Sequence, residues 1–544
     1  MCGIWAVLGP HATINKQALL EQLKARGPEF MNLVDIPNAN TEVSLGFTRL
    51  AINGLTPAGN QPFFHNDKYV ICNGEIYNYK ELATRWNIPL EEGTSDCAVI
   101  PHLAEKLNMT QLCRTLDGVF AFVLVDLQSQ SLYVARDPYG VRPLYEGRFI
   151  EDADRMNPTY MWSSEIKGLD KECQVKPFPP GTWRRYSLRT GGFMEECKYH
   201  SVPHVKQAAF LDREFAKQAL RASLLSAVQK RLLSDRPIGA LLSGGVDSSL
   251  IAAIAARELA KEGKKLHTFS IGMPGSTDLV YAQKVADLIG SEHHNVLVEP
   301  KTFLDAIPEV VRNIESYDIT SVRASVGNWL IGKYIKANTD IKVVFNGDGS
   351  DEIGGGYIYF YKAPSDEEFE AESERLLEEI HYFDVLRSDR SMASHGLEAR
   401  TPFLDKNVVA TWKAIPTAFR RPGSGHLEKA ILREAFEADA YLPHDVLWRK
   451  KEAFSDGVSS TDDSWYKRCA EYAKTRGISL DQIQEQTKLW HNPPKTEEAF
   501  WYRTLFNEMY PGMAPVIPHM WMPRWISGAT DPSARTLTQL YSTD

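Results

Sequence analysis

No apolar run in this sequence approaches the roughly 18–20 residues that a membrane-spanning helix needs. No basic stretch precedes Cys2-Gly3-Ile4-Trp5, so neither a membrane span nor a secretory signal is expected. The seven cysteines, scattered from Cys2 to Cys469, include no C-x-x-C pair. An odd, dispersed set argues for reduced thiols and a cytosolic setting, where the sequon Asn108-Met109-Thr110 is accidental. Blocks of basic residues are missing and the net charge is −9, which excludes a field that would recruit nucleic acid. Gly-Lys-Ser/Thr is missing too, which excludes the Walker type of phosphate loop. What is present is an ordinary globular composition, 43% hydrophobic and 24% charged, with mean hydropathy −0.32. At 544 residues the chain is too long for one ordinary core, and two or three domains are expected.

The most informative stretch is Pro237 to Leu250, P-I-G-A-L-L-S-G-G-V-D-S-S-L. A short apolar run of strand length leads into Ser243-Gly244-Gly245 and then into a helix-forming segment. A glycine turn between a strand and a helix N-terminus offers free N–H groups and a favourable dipole to an anion. Glycines let a phosphate approach the main chain, and Ser243, Ser248 and Ser249 add hydroxyl donors. Asp247 inside such a loop would repel phosphate unless a metal bridged them, which implies Mg²⁺. A tight turn without a ligand fits the same residues.

The first half reads as strands separated by turns: 43–47, 69–72, 119–126, 131–136, 160–163 and 181–188, with helical stretches at 17–24 and 98–106. This is an α+β pattern. A linker is expected at 201–212. After an amphipathic helix over 213–233, strands at 238–242, 266–271, 295–298 and 341–345 alternate with helices, which predicts a parallel sheet covered by helices. Ligands in such sheets sit beyond the carboxyl ends of the strands. Both the anion loop and Asn346-Gly347-Asp348-Gly349-Ser350-Asp351-Glu352 lie at such ends. Asp351 could share a Mg²⁺–pyrophosphate with Asp247, and Leu241 and Ile271 could line an adenine pocket. Beyond 352 the chain is expected to be helical, with Ser365 and Glu368 forming a capping box before an acidic helix at 366–379.

Cys2 would carry a free α-amine once Met1 is removed. That amine, with a reference pKa of about 7.7–8.0, can serve as the thiol's own general base. By position alone Cys2 reads as a small residue opening a buried strand. A glutamine needs a partner for its carboxylate, an acceptor for its ammonium and an oxyanion hole at its amide. Arg49 suits the first, Glu75 and Asp96 the second, and the Asn73 side chain with the Gly74 N–H the third. Each taken alone reads as a surface or turn residue.

Together these residues fit known patterns. MCGIW, RGP at 26–28, FTRLAI at 47–52, CNGEIYN at 72–78 and RDPYGVRPL at 136–144 resemble the class II glutamine amidotransferase domains. SGGVDSS resembles the pyrophosphate loop of ATP pyrophosphatases. With YDITSVRASVG, GSDE, GYIYFYKAP, ARTPFLD, WRKKEAFSDG and DPSARTLT, the chain resembles the glutamine-hydrolysing asparagine synthetases nearly end to end. The resemblance implies two domains. An αββα N-terminal-nucleophile hydrolase sandwich would occupy 2–200, and an α/β parallel-sheet ATP-pyrophosphatase domain with added helices 213–538, with a tail at 539–544.

It implies ATP-dependent conversion of aspartate to asparagine through β-aspartyl-AMP, releasing AMP and pyrophosphate, with ammonia from glutamine passing inside the protein. Cys2, Asn73, Gly74, Asp348 and Lys451 would be catalytic. Arg49, Leu50, Ile52, Asn73, Gly74, Glu75 and Asp96 would bind glutamine. Leu241, Ser243, Gly244, Gly245, Asp247, Ser248, Ser249, Ile271, Asn346 and Gly347 would bind ATP, and Asp247 and Asp351 would hold Mg²⁺. Lys451 would stabilise charge on the leaving phosphates. A homodimer is implied as well.

Two motifs depart from the pattern. Ala25-Arg26-Gly27-Pro28-Glu29 stands where His-Arg-Gly-Pro-Asp is usual, and Asn346-Gly347-Asp348 where Ser-Gly-Glu is usual. The shorter carboxylate at 348 predicts an active but slower enzyme, since small misplacements cost large factors in rate. Other readings are a relative that binds glutamine or nucleotide without turnover, and an amidotransferase or adenylating ligase with another acceptor.

Overall fold

The computed structural model describes residues 1–10, 14–37, 41–149, 158–202, 207–423, 426–477, 479–529 and 531–537. Part of the expected linker (203–206), the expected end of the second domain at 538 and the 539–544 tail lie outside the described residues.

The first half is built from two six-stranded antiparallel sheets. One comprises β1 (Gly3–Leu8), β2 (Phe30–Ile36), β3 (Val43–Arg49), β8 (Tyr145–Phe149), β9 (Tyr160–Ser163) and β10 (Cys173–Pro177). The other comprises β4 (Phe63–His65), β5 (Lys68–Ile76), β6 (Gly118–Asp126), β7 (Ser131–Arg136), β11 (Thr182–Ser187) and β12 (Phe193–Lys198). Period-two alternation sorts their side chains. Ile4, Ala6 and Leu8 face inward and pack with Leu45, Phe47, Ala121, Val123 and Trp162 between the sheets. The outer face of the second sheet, including Val70, Phe120 and Phe122, packs with Leu82, Leu103 and Leu112 of the helices Tyr79–Trp86, Val99–Lys106 and Met109–Thr115. The outer face of the first sheet is covered differently. Trp5, Val7 and Met161 share one apolar cluster with Leu20 of the short helix Lys16–Glu21 and with Val310, Ile314 and Met392 of the second half. The αββα sandwich therefore borrows part of its fourth layer from its neighbour.

The second half contains a five-stranded parallel sheet in the order β15-β14-β13-β16-β17. Its strands are β13 (Ile238–Leu241), β14 (His267–Gly272), β15 (Glu292–Leu297), β16 (Val343–Phe345) and β17 (Glu398–Arg400). β17 follows a long helical excursion, and its three residues give too short a run for a period of two to reveal. Helices Val246–Lys261, Thr277–Ile289 and Ile319–Asn338 cover the sheet. The expected capping box at 365–368 is half formed: the Ser365 side chain accepts from the Glu368 N–H at 3.3 Å. No disulfide joins cysteines among the described residues, and no described helix is long and apolar enough to cross a membrane.

The halves dock through buried charge. Arg26 pairs with Glu165 of its own half and with Asp389 of the other, both at 2.7 Å. Glu315 accepts from the backbone N–H groups of Ile166 and Lys167 at 2.8 and 2.9 Å. Buried charges persist only where paired and hydrogen-bonded, so these contacts define the relative placement of the two units.

Candidate active sites

In the first half Cys2, Arg49 and Asn73-Gly74-Glu75 lie at or near strand ends, whereas Asp96, expected at one, opens a short 3₁₀ helix, Asp96–Ala98. The Cys2 thiol sits 3.7 Å from the Leu50 carbonyl, and the Arg26 guanidinium donates to the Cys2 carbonyl at 2.9 Å. Burial pushes the thiol up to about 11, so it needs a base to become a nucleophile. Arg49 ends β3 close enough to feel the charge of Cys2. Its guanidinium is fixed by the loop that follows, donating to Thr56 O at 2.7 Å, to Asn60 Oδ1 at 2.8 Å and to Gly54 O. Leu50 and Ile52 are buried in that loop.

β5 supplies the next three residues. Asn73 is fully buried, and neither its amide nitrogen nor its amide oxygen has a hydrogen-bond partner. Leaving such a group unsatisfied costs about 1–3 kcal/mol. Glu75 accepts from Asn53 and lies 3.4 Å from Arg400 Nη2. Asp96 accepts from the Ile76 N–H and from Ser95 Oγ. Burial pushes Asp96 up to about 6. Burial, then the charges of Asp96 and Glu398, push Glu75 well above the usual carboxylate range.

The two unusual residues of the 25–29 stretch sit differently. Ala25 is exposed. The Glu29 carboxylate accepts from the Ala51 N–H at 2.6 Å and pairs with Arg236 of the second half at 2.7 Å. It acts as a tie between the halves.

In the second half a cavity of about 180 Å³ opens at the carboxyl ends of β13, β14 and β16. Leu241, Ser243, Gly245, Asp247, Ser248, Ile271, Asn346, Gly347, Asp348, Asp351 and Lys451 all line it. Gly244 and Ser249 do not. Gly244 has φ +72° and faces Tyr281 on a neighbouring helix, and Ser249 is buried in the interior of its own helix. The loop hydroxyls bond each other, with Ser243 Oγ and Ser248 Oγ 2.9 Å apart. Gly347 brings the second loop onto the first so closely that a Cβ there would lie 2.7 Å from Ser248 N.

Asp247 and Asp351 converge on one cation, Lys429 Nζ, which is 2.6 Å from each carboxylate. Asp351 also pairs with Lys451 at 2.5 Å. Burial pushes Asp351 up, but Lys429 and Lys451 together hold it well below the usual carboxylate range. Asp348 pairs with Arg387 at 2.9 Å and accepts from Asn346 Nδ2 at 2.7 Å. The two departures in this loop therefore touch: the amide at 346 takes up the carboxylate at 348.

The sequence matches the family model described as Asparagine synthase over residues 219–373 and 362–525. It matches that described as Glutamine amidotransferase domain over residues 1–213. The glutamine-hydrolysing asparagine synthetase of Cricetulus griseus is 44% identical, covering 100% of this chain and 99% of its own. That of Homo sapiens is 43% identical over the same shares, 100% and 99%. The chain belongs to the glutamine-hydrolysing asparagine synthetase family.

Several residues of this synthetase's sites were not singled out by sequence reasoning. Lys429, with 0% side-chain exposure, lies far in sequence from both carboxylates it joins and sits in no glycine-marked turn. Arg387 was visible only as part of Asp384-Val385-Leu386-Arg387, which carries no spacing signal. Arg400 belongs to ARTPFLD, but its role needs the fold. From β17 it donates to the Arg231 and Leu233 carbonyls and to Glu398, while its own carbonyl accepts from the Asn346 N–H at 3.1 Å. Arg400 therefore touches Glu75 on one side and a cavity loop on the other.

Proposed function

We propose that this chain divides its family's reaction between these two places, glutamine being opened at Cys2 and aspartate activated in the cavity beyond β13. The enzyme makes asparagine from aspartate and glutamine with ATP, through β-aspartyl-AMP, and releases glutamate, AMP and pyrophosphate.

In the first site Cys2 is the nucleophile, and its α-amine, freed when Met1 is removed, takes the thiol proton. Asn73 and the Gly74 N–H receive the oxyanion. Arg49 pairs with the glutamine carboxylate, Glu75 and Asp96 receive its ammonium, and Leu50 and Ile52 wall the side chain. The observation that carries this reading is the buried, unpartnered Asn73 amide, a donor already desolvated and aimed before charge develops.

In the second site Leu241 and Ile271 face the adenine, while Ser243, Gly245, Ser248, Asn346 and Gly347 cradle the phosphates at the helix N-terminus. Asp247 and Asp351 fit a Mg²⁺: their four oxygens together accept more bonds than Lys429, Lys451 and Ser350 use. Those two carboxylates would hold the ion, whose charge offsets that of the pyrophosphate. Lys451 stabilises the leaving phosphates, and Asp348, oriented by Arg387 and Asn346, handles the proton released when ammonia attacks. Its shortened side chain supports a slower reaction.

The test is a product assay with aspartate, ATP, Mg²⁺ and either glutamine or ammonium. Asparagine, AMP and pyrophosphate should appear in equal amounts from both nitrogen sources, with matching glutamate from glutamine. Glutamate without AMP would sink the assignment of the second site.

A further inference from the structure

β15 is the edge strand of the parallel sheet, and it pairs with β14 so that Glu292 stands opposite His267 and His294 opposite Phe269. Glu292 and His294 are two residues apart on one strand and so share a face. His293, between them, turns to the other face, where its ring nitrogens lie 3.0 Å from Thr268 Oγ1 and 3.0 Å from Ser270 Oγ.

On the first face three ligand atoms meet. His267 Nδ1 lies 3.4 Å from His294 Nε2 and 3.5 Å from Glu292 Oε1, and the third edge, His294 Nε2 to Glu292 Oε1, is 3.8 Å. A tetrahedral ion with nitrogen and oxygen ligands at about 2.0–2.2 Å holds them roughly 3.3–3.6 Å apart. Two edges of the triangle fall within that range, and the third, at 3.8 Å to the half-exposed Glu292 carboxylate, needs only a small side-chain movement to close on one face of the tetrahedron.

The surroundings are those of a supported ligand set. His294 Nδ1 lies 3.4 Å from the Tyr334 hydroxyl, the outer partner that turns the other nitrogen's lone pair toward the triangle. Its ring stacks on Phe269 at 4.7 Å and 20°, which sets its plane. Glu292 is 56% exposed, so the fourth position faces solvent.

We propose that His267, Glu292 and His294 form a binding site for one divalent transition-metal ion of the Zn²⁺ class, with water as the fourth ligand. Imidazole donors select such ions over Mg²⁺, and the site lies at the amino ends of β14 and β15, away from the phosphate loops. A bound ion would clamp the exposed edge strand. It would also fix His294 against Phe269, a residue that lines the cavity of the second half.

The probe is Co²⁺ alone, titrated into the full-length protein in excess Mg²⁺ and followed by its visible absorption. One ion per chain should bind with a tetrahedral spectrum and no thiolate-to-cobalt band. His267→Gln and Glu292→Gln should each weaken it by at least the roughly 10–100-fold that loss of an outer-shell partner costs. Both variants should keep wild-type metal-free melting and ammonium-dependent synthesis. Failure to bind Co²⁺ in the presence of Mg²⁺, or equal binding by wild type and both variants, would overturn the proposal.

Discussion

The two candidate active sites solve opposite electrostatic problems. In the first, burial raises the Cys2 thiol, the amide of Asn73 has no partner, and Glu75 and Asp96 are pushed in their neutral direction by burial. In the cavity beyond β13, two carboxylates are tied to ammonium groups, Asp247 to Lys429 and Asp351 to Lys429 and Lys451. On the function proposed above, the first site would receive a zwitterion and create charge on a bound amide, which suits a donor kept waiting. The second would receive a polyanion, which suits cations paired with carboxylates that a Mg²⁺-bearing substrate could re-partition. The scaffolds suit the tasks. Antiparallel strands fix side chains through dense backbone bonding, and parallel strands align loop N–H groups at one end of the sheet.

The sharpest break in this comparison is Cys2→Ala. Asparagine formation from glutamine should vanish while formation from ammonium persists; loss of both would mean that the sites are not separable. Lys429→Met attacks the other side. It removes the ammonium partner of Asp247 and leaves Asp351 to Lys451 alone, and breaking a buried pair costs about 3–5 kcal/mol, so synthesis from both nitrogen sources should fall together while glutamate release survives. Thermal unfolding and parallel assays would show both effects. Asn73→Ala should lower glutamine-dependent kcat by about 10²–10³ and leave ammonium-dependent kcat unchanged. An effect on KM alone would assign Asn73 to binding instead.

The mildest test is pH. Asp96 titrates near 6, so it is ionised above that pH and neutral below, where it no longer attracts an ammonium. KM for glutamine in glutamate release should therefore rise as pH falls through about 6, and Asp96→Asn should flatten that rise and lift KM at neutral pH. A KM independent of pH in the wild type would remove Asp96 from ammonium recognition.

Much of this was legible in residue order. The strand–glycine–helix signature at 238–250 and the carboxylate-rich loop at 346–352 are local, because a turn's chemistry is written in consecutive residues. Most strands of both halves follow from apolar runs; β4 and β17, three residues each, were too short to show a period, and β2, β8, β10 and β12 were not anticipated either. Their mixed polar residues sit at sheet margins or face the second half, so no clean alternation marks them.

Local order also determined the pairing of motif with chemistry: Cys2 near the start of a strand, Asn73-Gly74-Glu75 at the end of another, and Asp247 within an anion loop. Tertiary structure alone decided what joins them. Lys429 between Asp247 and Asp351, Arg387 against Asp348, Arg26 against Asp389, and Arg400 between Glu75 and the 346 loop are contacts between residues far apart in the chain. Nothing local selects such partners. They are chosen by which buried charges would otherwise be left uncompensated, inside the second half for Lys429 and Arg387 and where the two halves meet for Arg26 and Arg400.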